Sequence, residues 1–392
     1  MKKLKKITAF LLALTLVLAM TSCAQKQEEE HIHKIGVLVY DLKDEQVQAF
    51  REYLEGYIGE NFSDVDFLYS AGVTTEVEEM EFLNNAIAAG VEGVIAFNSF
   101  DLEQEVALCA SHGVYYLRPS STTAPEDFDK VADNPYFLGY FGPGNEMEYQ
   151  AGYDMGVYFA KEQISDSYFL LSGGAGTNVM HEQRAEGMLD ALQEAYGVQF
   201  DQSSMELASA SEPVSVEAGT LKVTVFPGYI GVPDVGEQAV AAFEKDPAGV
   251  VMSTIPVQAI AGSLGDASLG TVDCYTETNG ELFKNGNLKY LCGKYESIIG
   301  PAFAAMYNAV TGYSEDFRED GKAFAIQQGF WTSTDYQDFQ EKYELSSGIT
   351  LNAYSYEDLL EVCKAHNPNA TLDDLKGLAG AWDFDSAVQR RK

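Results

Sequence analysis

Several apolar runs of the chain end in side chains that could bind a small polar molecule. Tyrosine and phenylalanine offer flat apolar faces to a sugar or base ring, and arginine offers a planar fork of hydrogen-bond donors to hydroxyl or carboxylate groups. The candidates at these run ends are Tyr40, Asp41, Asn98, Ser99, Phe100, Arg118 and Ser120, followed by Thr177, Asn178, Arg184, Tyr229, Ser253, Thr254, Tyr275, Thr276 and Glu277. Their types predict reversible binding of a polar solute.

Each candidate also has a purely structural interpretation. Asp41 could cap the helix that begins a few residues later, as aspartate commonly does. Asn98 and Ser99 could only form the turn between a strand and a helix. Tyr40 and Phe100 could pack between domains, and Arg184 could lie on the surface of a helix. The sequence leaves these alternatives open.

Motifs of common enzyme and nucleotide-binding classes are missing. The sequence has no Gly-x-Ser-x-Gly and no His-Glu-x-x-His, and its five histidines have no obvious nucleophile beside them. The glycine-rich stretch 172–176 lacks the Lys-Ser/Thr pair of a phosphate-binding loop, so we interpret it as a tight turn. We therefore predict no enzyme activity, no cofactor and no metal, although a triad assembled from distant residues is not excluded by sequence.

Charge and cysteine usage limit the partners. The chain carries a net charge of −35, which would repel phosphates, so nucleic acid is not expected as a partner. Cys109, Cys274, Cys292 and Cys363 show no Cys-x-x-Cys spacing and are interpreted as buried small residues. A disulfide between Cys274 and Cys292 remains an alternative if their strands are neighbours.

The N-terminus resembles a bacterial lipoprotein signal. Four lysines precede an apolar run from Ile7 to Met20, which is short for a bilayer span of about 20 residues, and small residues then lead into Cys23. We expect residues 1–22 to be removed, Cys23 to be lipidated, and the protein to be anchored outside the cytoplasm. Residues 23–33 are polar and acidic and form a tether, in which His31 and His33 are interpreted as spacer residues.

The elements that must position the candidates alternate along the chain. Short continuous apolar runs such as Lys34–Tyr40 and Gly93–Phe97 are typical of strands buried on both faces, and amphipathic stretches of 10 to 15 residues separate them. The folded part that follows the tether, about 360 residues, is larger than a single hydrophobic core usually supports. We therefore predict an α/β fold with two similar doubly wound parallel-sheet lobes. Lobe one comprises residues 34–141 plus about 295–328, and lobe two comprises 142–294 plus about 329–392.

This architecture determines where a ligand should bind. In open parallel sheets, ligands lie beyond the carboxyl ends of the strands, and two lobes that face each other create a cleft between them. The candidate residues follow predicted strands. We therefore expect them to line that cleft.

The order of four segments is similar to that of a known family. The segments are KIGVLVY at 34–40, NNAIAAGVEGVIAFNS at 84–99, HEQRAEGMLDAL at 181–192 and KYESIIG at 294–300. With these, the chain resembles the type I periplasmic binding proteins, the family of ribose-like sugar receptors, over essentially its whole mature length. A branch of nucleoside-binding lipoproteins also fits the last segment.

The resemblance implies a three-crossover hinge, near residues 141–144, 292–296 and 328–331, and a role as the solute-binding lipoprotein of an ABC importer. Its expected partners are a small polar solute, sugar or nucleoside-like, and the permease, with the protein itself a monomer. A ligand-presenting receptor for a chemosensory or sensor-kinase system, or a secreted enzyme on the same lobes, remain the alternatives.

The resemblance also places two cations at ligand-contacting positions, Arg184 and Lys294. The sugar receptors have glutamine where this chain has Lys294, and they have acidic or amide residues where it has Ser253, Thr254 and Tyr275. This departure predicts a locally cationic cleft that suits a ligand with acidic or carbonyl groups.

Overall fold

Two α/β lobes, each built on one mainly parallel sheet, make up the fold. The computed structural model describes residues 31–174, 179–347 and 352–392. The predicted signal peptide, Cys23, most of the tether, Thr177 and Asn178 lie outside these residues. Within the described ranges, no helix has both the length and the apolar character needed to cross a bilayer.

Lobe one contains a six-stranded sheet in which every neighbouring pair is parallel. Its strand order is β2-β1-β3-β4-β5-β12. The strands are β1 (His33–Leu38), β2 (Val65–Tyr69), β3 (Gly93–Ala96), β4 (Tyr115–Arg118), β5 (Phe137–Gly142) and β12 (Phe324–Gln327).

Lobe two contains a seven-stranded sheet of order β7-β8-β6-β9-β10-β11-β13. The two edge strands β7 and β13 are antiparallel to their neighbours, and the other pairs are parallel. The strands are β6 (Ser167–Leu171), β7 (Val214–Ala218), β8 (Leu221–Phe226), β9 (Val250–Ser253), β10 (Ser268–Cys274), β11 (Leu288–Lys294) and β13 (Trp331–Ser333). The core order β8-β6-β9-β10-β11 repeats the order β2-β1-β3-β4-β5 of lobe one, which confirms the predicted similarity of the lobes.

Helices connect the strands. In lobe one they are α1 (Glu45–Arg51), α2 (Glu76–Ala88), α3 (Leu102–Ser111), α4 (Pro125–Val131) and α11 (Gly300–Asn308). The π-helical segment Glu52–Ile58 and the short helix Gly59–Asn61 continue α1. The 3₁₀ turn Glu296–Ile299 precedes α11, and the π-helical Ala309–Tyr313 and the 3₁₀ turn Ser314–Phe317 follow it. Between β5 and β11 they are α5 (Asn145–Glu162), α6 (Val179–Tyr196), α7 (Ser204–Ala208), α8 (Pro233–Lys245), α9 (Gln258–Ala261) and α10 (Glu277–Lys284). The C-terminal helices are α12 (Tyr336–Ser347), α13 (Tyr356–Val362), α14 (Leu372–Gly380) and α15 (Phe384–Arg390).

Local sequence explains these elements. Every residue of β3 and of β9 is buried, as expected for strands covered on both faces. Side-chain oxygens of Asp44, Thr75 and Asp101 accept hydrogen bonds from backbone N–H groups in the first turns of α1, α2 and α3. The cap of α1 is thus Asp44, whereas Asp41 accepts a hydrogen bond from the Lys43 backbone N–H in the preceding turn.

The chain passes between the sheets three times, within the ranges implied by the family resemblance. It leaves β5 at Gly142 and enters α5 at Asn145, leaves β11 at Lys294 and enters α11 at Gly300, and runs from Gln327 at the end of β12 to β13. All three passages lie at the carboxyl ends of parallel strands, so they adjoin the region between the lobes.

Two segments lie outside the strand order that the lobes share. The stretch 201–220 contains α7 and β7, and β7 forms a hairpin with β8. The C-terminal part contacts both lobes: α12 packs on α10, whereas α13 and α14 pack on α11 of lobe one. The prediction placed all of 329–392 in lobe two, because the sequence alone does not reveal contacts between distant residues. One such contact is the hydrogen bond that Tyr53 Oη of lobe one donates to the Tyr354 carbonyl at 2.9 Å.

The four cysteines of the described residues are buried and free. Cys274 and Cys292 lie on the adjacent strands β10 and β11, but they are not paired in register: Cys274 lies opposite Lys294 and Cys292 opposite Val272. The offset separates the two thiols along the sheet, so no disulfide joins them.

Candidate functional site

A cleft of about 690 Å³ lies between the lobes, at the carboxyl ends of both sheets. Eight of the candidates predicted from sequence line it: Tyr40, Asn98, Ser99, Arg118, Ser120, Arg184, Tyr229 and Lys294. Because the carboxyl ends of the strands of both sheets face the cleft, residues from distant parts of the chain lie on one surface.

Lys294 connects the lobes at the base of the cleft. It is the last residue of β11, and its ammonium group donates to the Ser120 carbonyl of lobe one at 2.5 Å. Burial lowers the Lys294 pKa to about 8, since Glu148 nearby only partly compensates for lost hydration. Ser120 itself has a φ of 49°, a left-handed conformation that is uncommon for serine and clusters at binding sites.

Arg184 is already engaged by protein groups. Its Nε donates to Glu148 Oε2 at 2.5 Å, and its Nη1 donates to the Thr254 carbonyl at 2.8 Å. Glu148 is fully buried, and its other oxygen accepts from Thr122 Oγ1 of lobe one at 3.0 Å. The Arg184 guanidinium also lies 5.6 Å from the centre of the Phe330 ring. Arg184 can therefore donate to a ligand only through guanidinium N–H groups that do not already bind Glu148 or Thr254.

Close packing of α5 and α6 positions this ion pair. Glu148 lies on α5 and Arg184 on α6, and glycines stand where the two backbones approach. A Cβ added to Gly152 would lie 1.8 Å from the Arg184 carbonyl oxygen, and one added to Gly187 would lie 2.2 Å from the Tyr149 carbonyl oxygen. Only glycine permits this approach, which keeps the two charged side chains within hydrogen-bond distance.

Asn98 lines the lobe one side of the cleft with a side-chain amide that is free to form hydrogen bonds with a ligand. Its Oδ1 and Nδ2 atoms are both buried, and neither has a hydrogen-bond partner among the described residues. The same holds for Ser120 Oγ. Ser99 differs, because its hydroxyl donates to Glu105 Oε1 at 2.9 Å. Since buried polar groups are normally hydrogen-bonded, Asn98 and Ser120 are the groups best placed to bind a polar solute.

Aromatic rings supply the apolar part of the cleft surface. Phe50 and Phe97 stack on each other with centroids 5.1 Å apart, and both line the cleft together with Tyr40, Tyr229 and Phe330. Tyr229 remains 39% exposed. Sequence reasoning missed Phe50 because it belongs to helix α1 rather than to a strand end. Its helical spacing indicated only core packing.

Two further ionisable groups lie in the cleft wall of lobe two. Burial raises the pKa of Asp273 to about 7, although Asn279 Nδ2 donates to its Oδ2 at 2.6 Å. Burial and the neighbouring Arg184 lower the pKa of His181 to about 3, which keeps its imidazole neutral. Asp273 escaped the sequence analysis because it lies inside β10 instead of after it.

The remaining candidates lie elsewhere. Asp41 and Phe100 are exposed and do not line the cleft. Ser253, Thr254, Tyr275 and Glu277 are also outside its lining, and Thr276 caps α10. The hydroxyl of Ser253 donates to the Ile255 carbonyl, and the buried Tyr275 ring stacks on Phe339 at 5.3 Å. Thr177 and Asn178 lie outside the described residues.

The described residues contain one group of side chains with metal-ligand chemistry and spacing, and it is not in the cleft. It consists of His31, His33 and Glu92, at the amino end of the lobe one sheet.

Solved structures share this fold. One is the periplasmic binding protein component of the arabinose ABC transporter from Shewanella sp. ANA-3, bound to α- and β-L-arabinofuranose, with TM-score 0.56 and 14% identity over 79% of this chain and 94% of that one. Another is a carbohydrate transporter from Acidothermus cellulolyticus 11B in complex with myo-inositol, with TM-score 0.56 and 16% identity over 82% and 99% of the two chains. A third is a galactofuranose binding protein, with TM-score 0.57 and 11% identity over 81% and 99%.

These neighbours confirm the predicted fold, that of the type I periplasmic binding proteins. No protein-family model matches the sequence, and a search of curated proteins gives no match. The likeness is therefore one of architecture at low identity, and the nature of the ligand has to be argued from the cleft.

Proposed function

We propose that the chain is an extracytoplasmic solute-binding lipoprotein of an ABC importer. It captures a small polar solute in the interlobe cleft and delivers it to a permease. The proposal rests on the buried polar atoms of Asn98 and Ser120, which have no hydrogen-bond partner among the described residues, and on the stacked Phe50 and Phe97 rings that line the same cleft. Such a mixture suits a sugar or nucleoside-like molecule, which combines polar edges with flat apolar faces.

The size of the cleft and the ligands of the structural neighbours support this ligand class. A volume of about 690 Å³ falls within the range of small-molecule sites, about 300–1,000 Å³. The neighbours were solved with arabinofuranose and myo-inositol, both small polyhydroxylated rings. Glu148 compensates only one of the two cations Arg184 and Lys294, so the remaining positive charge favours a solute that also has a carbonyl or acidic group.

A ligand screen tests the proposal. Thermal unfolding of the purified protein with pentoses, hexoses, myo-inositol and nucleosides should identify compounds that raise the unfolding midpoint, because a ligand that binds only the folded state stabilises it. Calorimetric titration then gives the affinity. Failure of all these classes, with no small molecule released from the purified protein in mass spectrometry, would contradict solute binding.

Asn98→Ala links binding to the cleft. Loss of hydrogen bonds made by one amide should weaken affinity by about tenfold or more, at about 1.4 kcal/mol per factor of ten. The stability of the unliganded protein should not fall, because the buried amide atoms have no partner among the described residues. Asn84→Ala is the matched control, since Asn84 is exposed on α2. Equal affinity in both variants would remove Asn98 from the site.

The lipid anchor is tested separately. Cys23→Ser should move the protein from the membrane fraction to the soluble fraction of the producing cells, because the acyl chains supply the membrane affinity. An unchanged membrane fraction would contradict lipidation at this residue and leave the cleft proposal untouched.

A further inference from the structure

A second cluster of chemically active side chains lies at the opposite end of the lobe one sheet from the cleft. His31 precedes β1, and His33 is the first residue of that strand. Glu92 directly precedes β3, the parallel neighbour of β1, and its backbone N–H donates to the Lys34 carbonyl at 2.8 Å. Glu92 thus meets His31 and His33, which precede it by 61 and 59 positions in the sequence, at the amino end of the sheet.

The three side chains converge through atoms that can ligate a metal. His31 Nε2 is 2.8 Å from Glu92 Oε1, and His33 Nδ1 is 2.9 Å from Glu92 Oε2. The two imidazole rings lie edge to face with centroids 4.7 Å apart. One ligand atom of each residue can be chosen so that all lie within 4.8 Å of one another. Small rotations would therefore bring all three onto a single ion.

Surrounding groups hold two of the three residues firmly. The His33 side chain is only 13% exposed, its backbone N–H donates to the Asp64 carbonyl at 2.7 Å, and its ring lies edge-on to Tyr307. The Glu92 carbonyl accepts from the Tyr115 backbone N–H at 3.0 Å. His31, in contrast, is 69% exposed at the end of the tether. The site thus consists of two fixed ligands and one that the tether supplies.

We propose that His31, His33 and Glu92 bind one divalent transition-metal ion, zinc being the best match. Two imidazoles and one carboxylate suit zinc, whereas magnesium and calcium prefer sites made entirely of oxygen ligands. Three protein ligands leave a fourth position for water or for a group from another molecule. The ion would fasten the end of the tether to lobe one and fix the direction in which the folded body leaves it. This inference does not depend on which solute occupies the cleft.

Zinc titration of the purified protein tests the site. Calorimetry with ZnCl₂ should show one saturable equivalent, and MgCl₂ at the same concentrations should show none. His31→Ala, His33→Ala and Glu92→Gln should each weaken zinc binding tenfold or more. His112→Ala is the control, because His112 is exposed at the end of α3 and lies outside the cluster. His31→Ala is the decisive variant, since its exposed side chain makes loss of folding an inadequate explanation.

Absorption spectroscopy at the zinc edge supplies a second measurement. The ion should have only nitrogen and oxygen ligands, with the scattering pattern of imidazole, and this pattern should disappear in His31→Ala. Absence of saturable zinc binding would overturn the proposal. Wild-type affinity in His31→Ala and Glu92→Gln would also overturn it, and would indicate binding by the abundant surface carboxylates or a histidine–carboxylate ion pair that holds no metal.

Discussion

Removal of the Arg184 guanidinium should cost stability even in the absence of a ligand. Arg184→Ala removes the cation that pairs with the fully buried Glu148 carboxylate, to which the Thr122 hydroxyl still donates. It also frees the Thr254 carbonyl, which accepts from Arg184 at 2.8 Å. A buried ion pair that loses one partner typically costs about 3–5 kcal/mol, a large part of a total stability of about 5–15 kcal/mol.

Urea unfolding followed by circular dichroism measures this loss. With a slope of about 3 kcal/mol per molar, the midpoint should fall by about 1 M or more while the slope stays constant. Arg51→Ala is the matched control: Arg51 pairs with Glu55 at 2.8 Å, but the side chains are 43% and 42% exposed, so at most about 1 kcal/mol should be lost.

A double variant separates the unpaired charge from loss of packing. Arg184→Met combined with Glu148→Leu removes both charges and should recover much of the stability, since apolar residues of similar volume can replace a buried pair. A loss of stability in Arg184→Ala no greater than in Arg51→Ala would contradict a structural role for the buried pair. A double variant as unstable as the single one would contradict it as well.

Two further predictions concern pH. Burial lowers the Lys294 pKa to about 8. Between about pH 8 and 10.5 the unfolded chain therefore binds more protons than the folded protein, and the free energy of unfolding should rise with pH. Lys294→Met should lack this part of the rise when unfolding by urea is measured at several pH values. Burial and the Glu105 carboxylate raise the Glu79 pKa to about 8, so stability should fall as pH rises from about 4.5 to 8. Glu79→Gln should flatten that fall, and a slope identical to the wild type would refute the assignment for either residue.

Much of the fold follows from local sequence because its strands are continuous apolar runs. The apolar runs Lys34–Tyr40 and Gly93–Phe97 coincide, to within two residues at each end, with β1 (His33–Leu38) and β3 (Gly93–Ala96). The sequence did not reveal that α13 and α14 pack on lobe one, since their position depends on contacts between residues far apart in sequence. Tyr57 Oη, for example, accepts from the Tyr356 backbone N–H at 2.7 Å.

The candidate site was only partly predictable for a related reason. A position after a strand places a residue near the cleft but does not determine which of its atoms is used. Thr254 illustrates this, because its carbonyl binds Arg184 while its hydroxyl donates to the Leu171 carbonyl at 3.3 Å. Nor could sequence reveal that Glu148, within a helix, neutralises the arginine that the family resemblance places in the cleft.

The contacts between the lobes differ in burial, and this difference determines which of them would break first if the lobes hinged apart. Near the crossovers, Lys294 donates to Ser120, and Thr122 donates to Glu148; both contacts involve buried groups. Between α10 of lobe two and α1 of lobe one, Thr278 Oγ1 donates to Glu45 Oε1 at 2.6 Å, but this contact is exposed. An exposed hydrogen bond exchanges readily with water, whereas breaking a buried charged contact leaves groups desolvated. If the lobes hinge apart, the exposed contact should therefore break before the buried ones, and Lys294 and Arg184 should keep their places next to the crossovers.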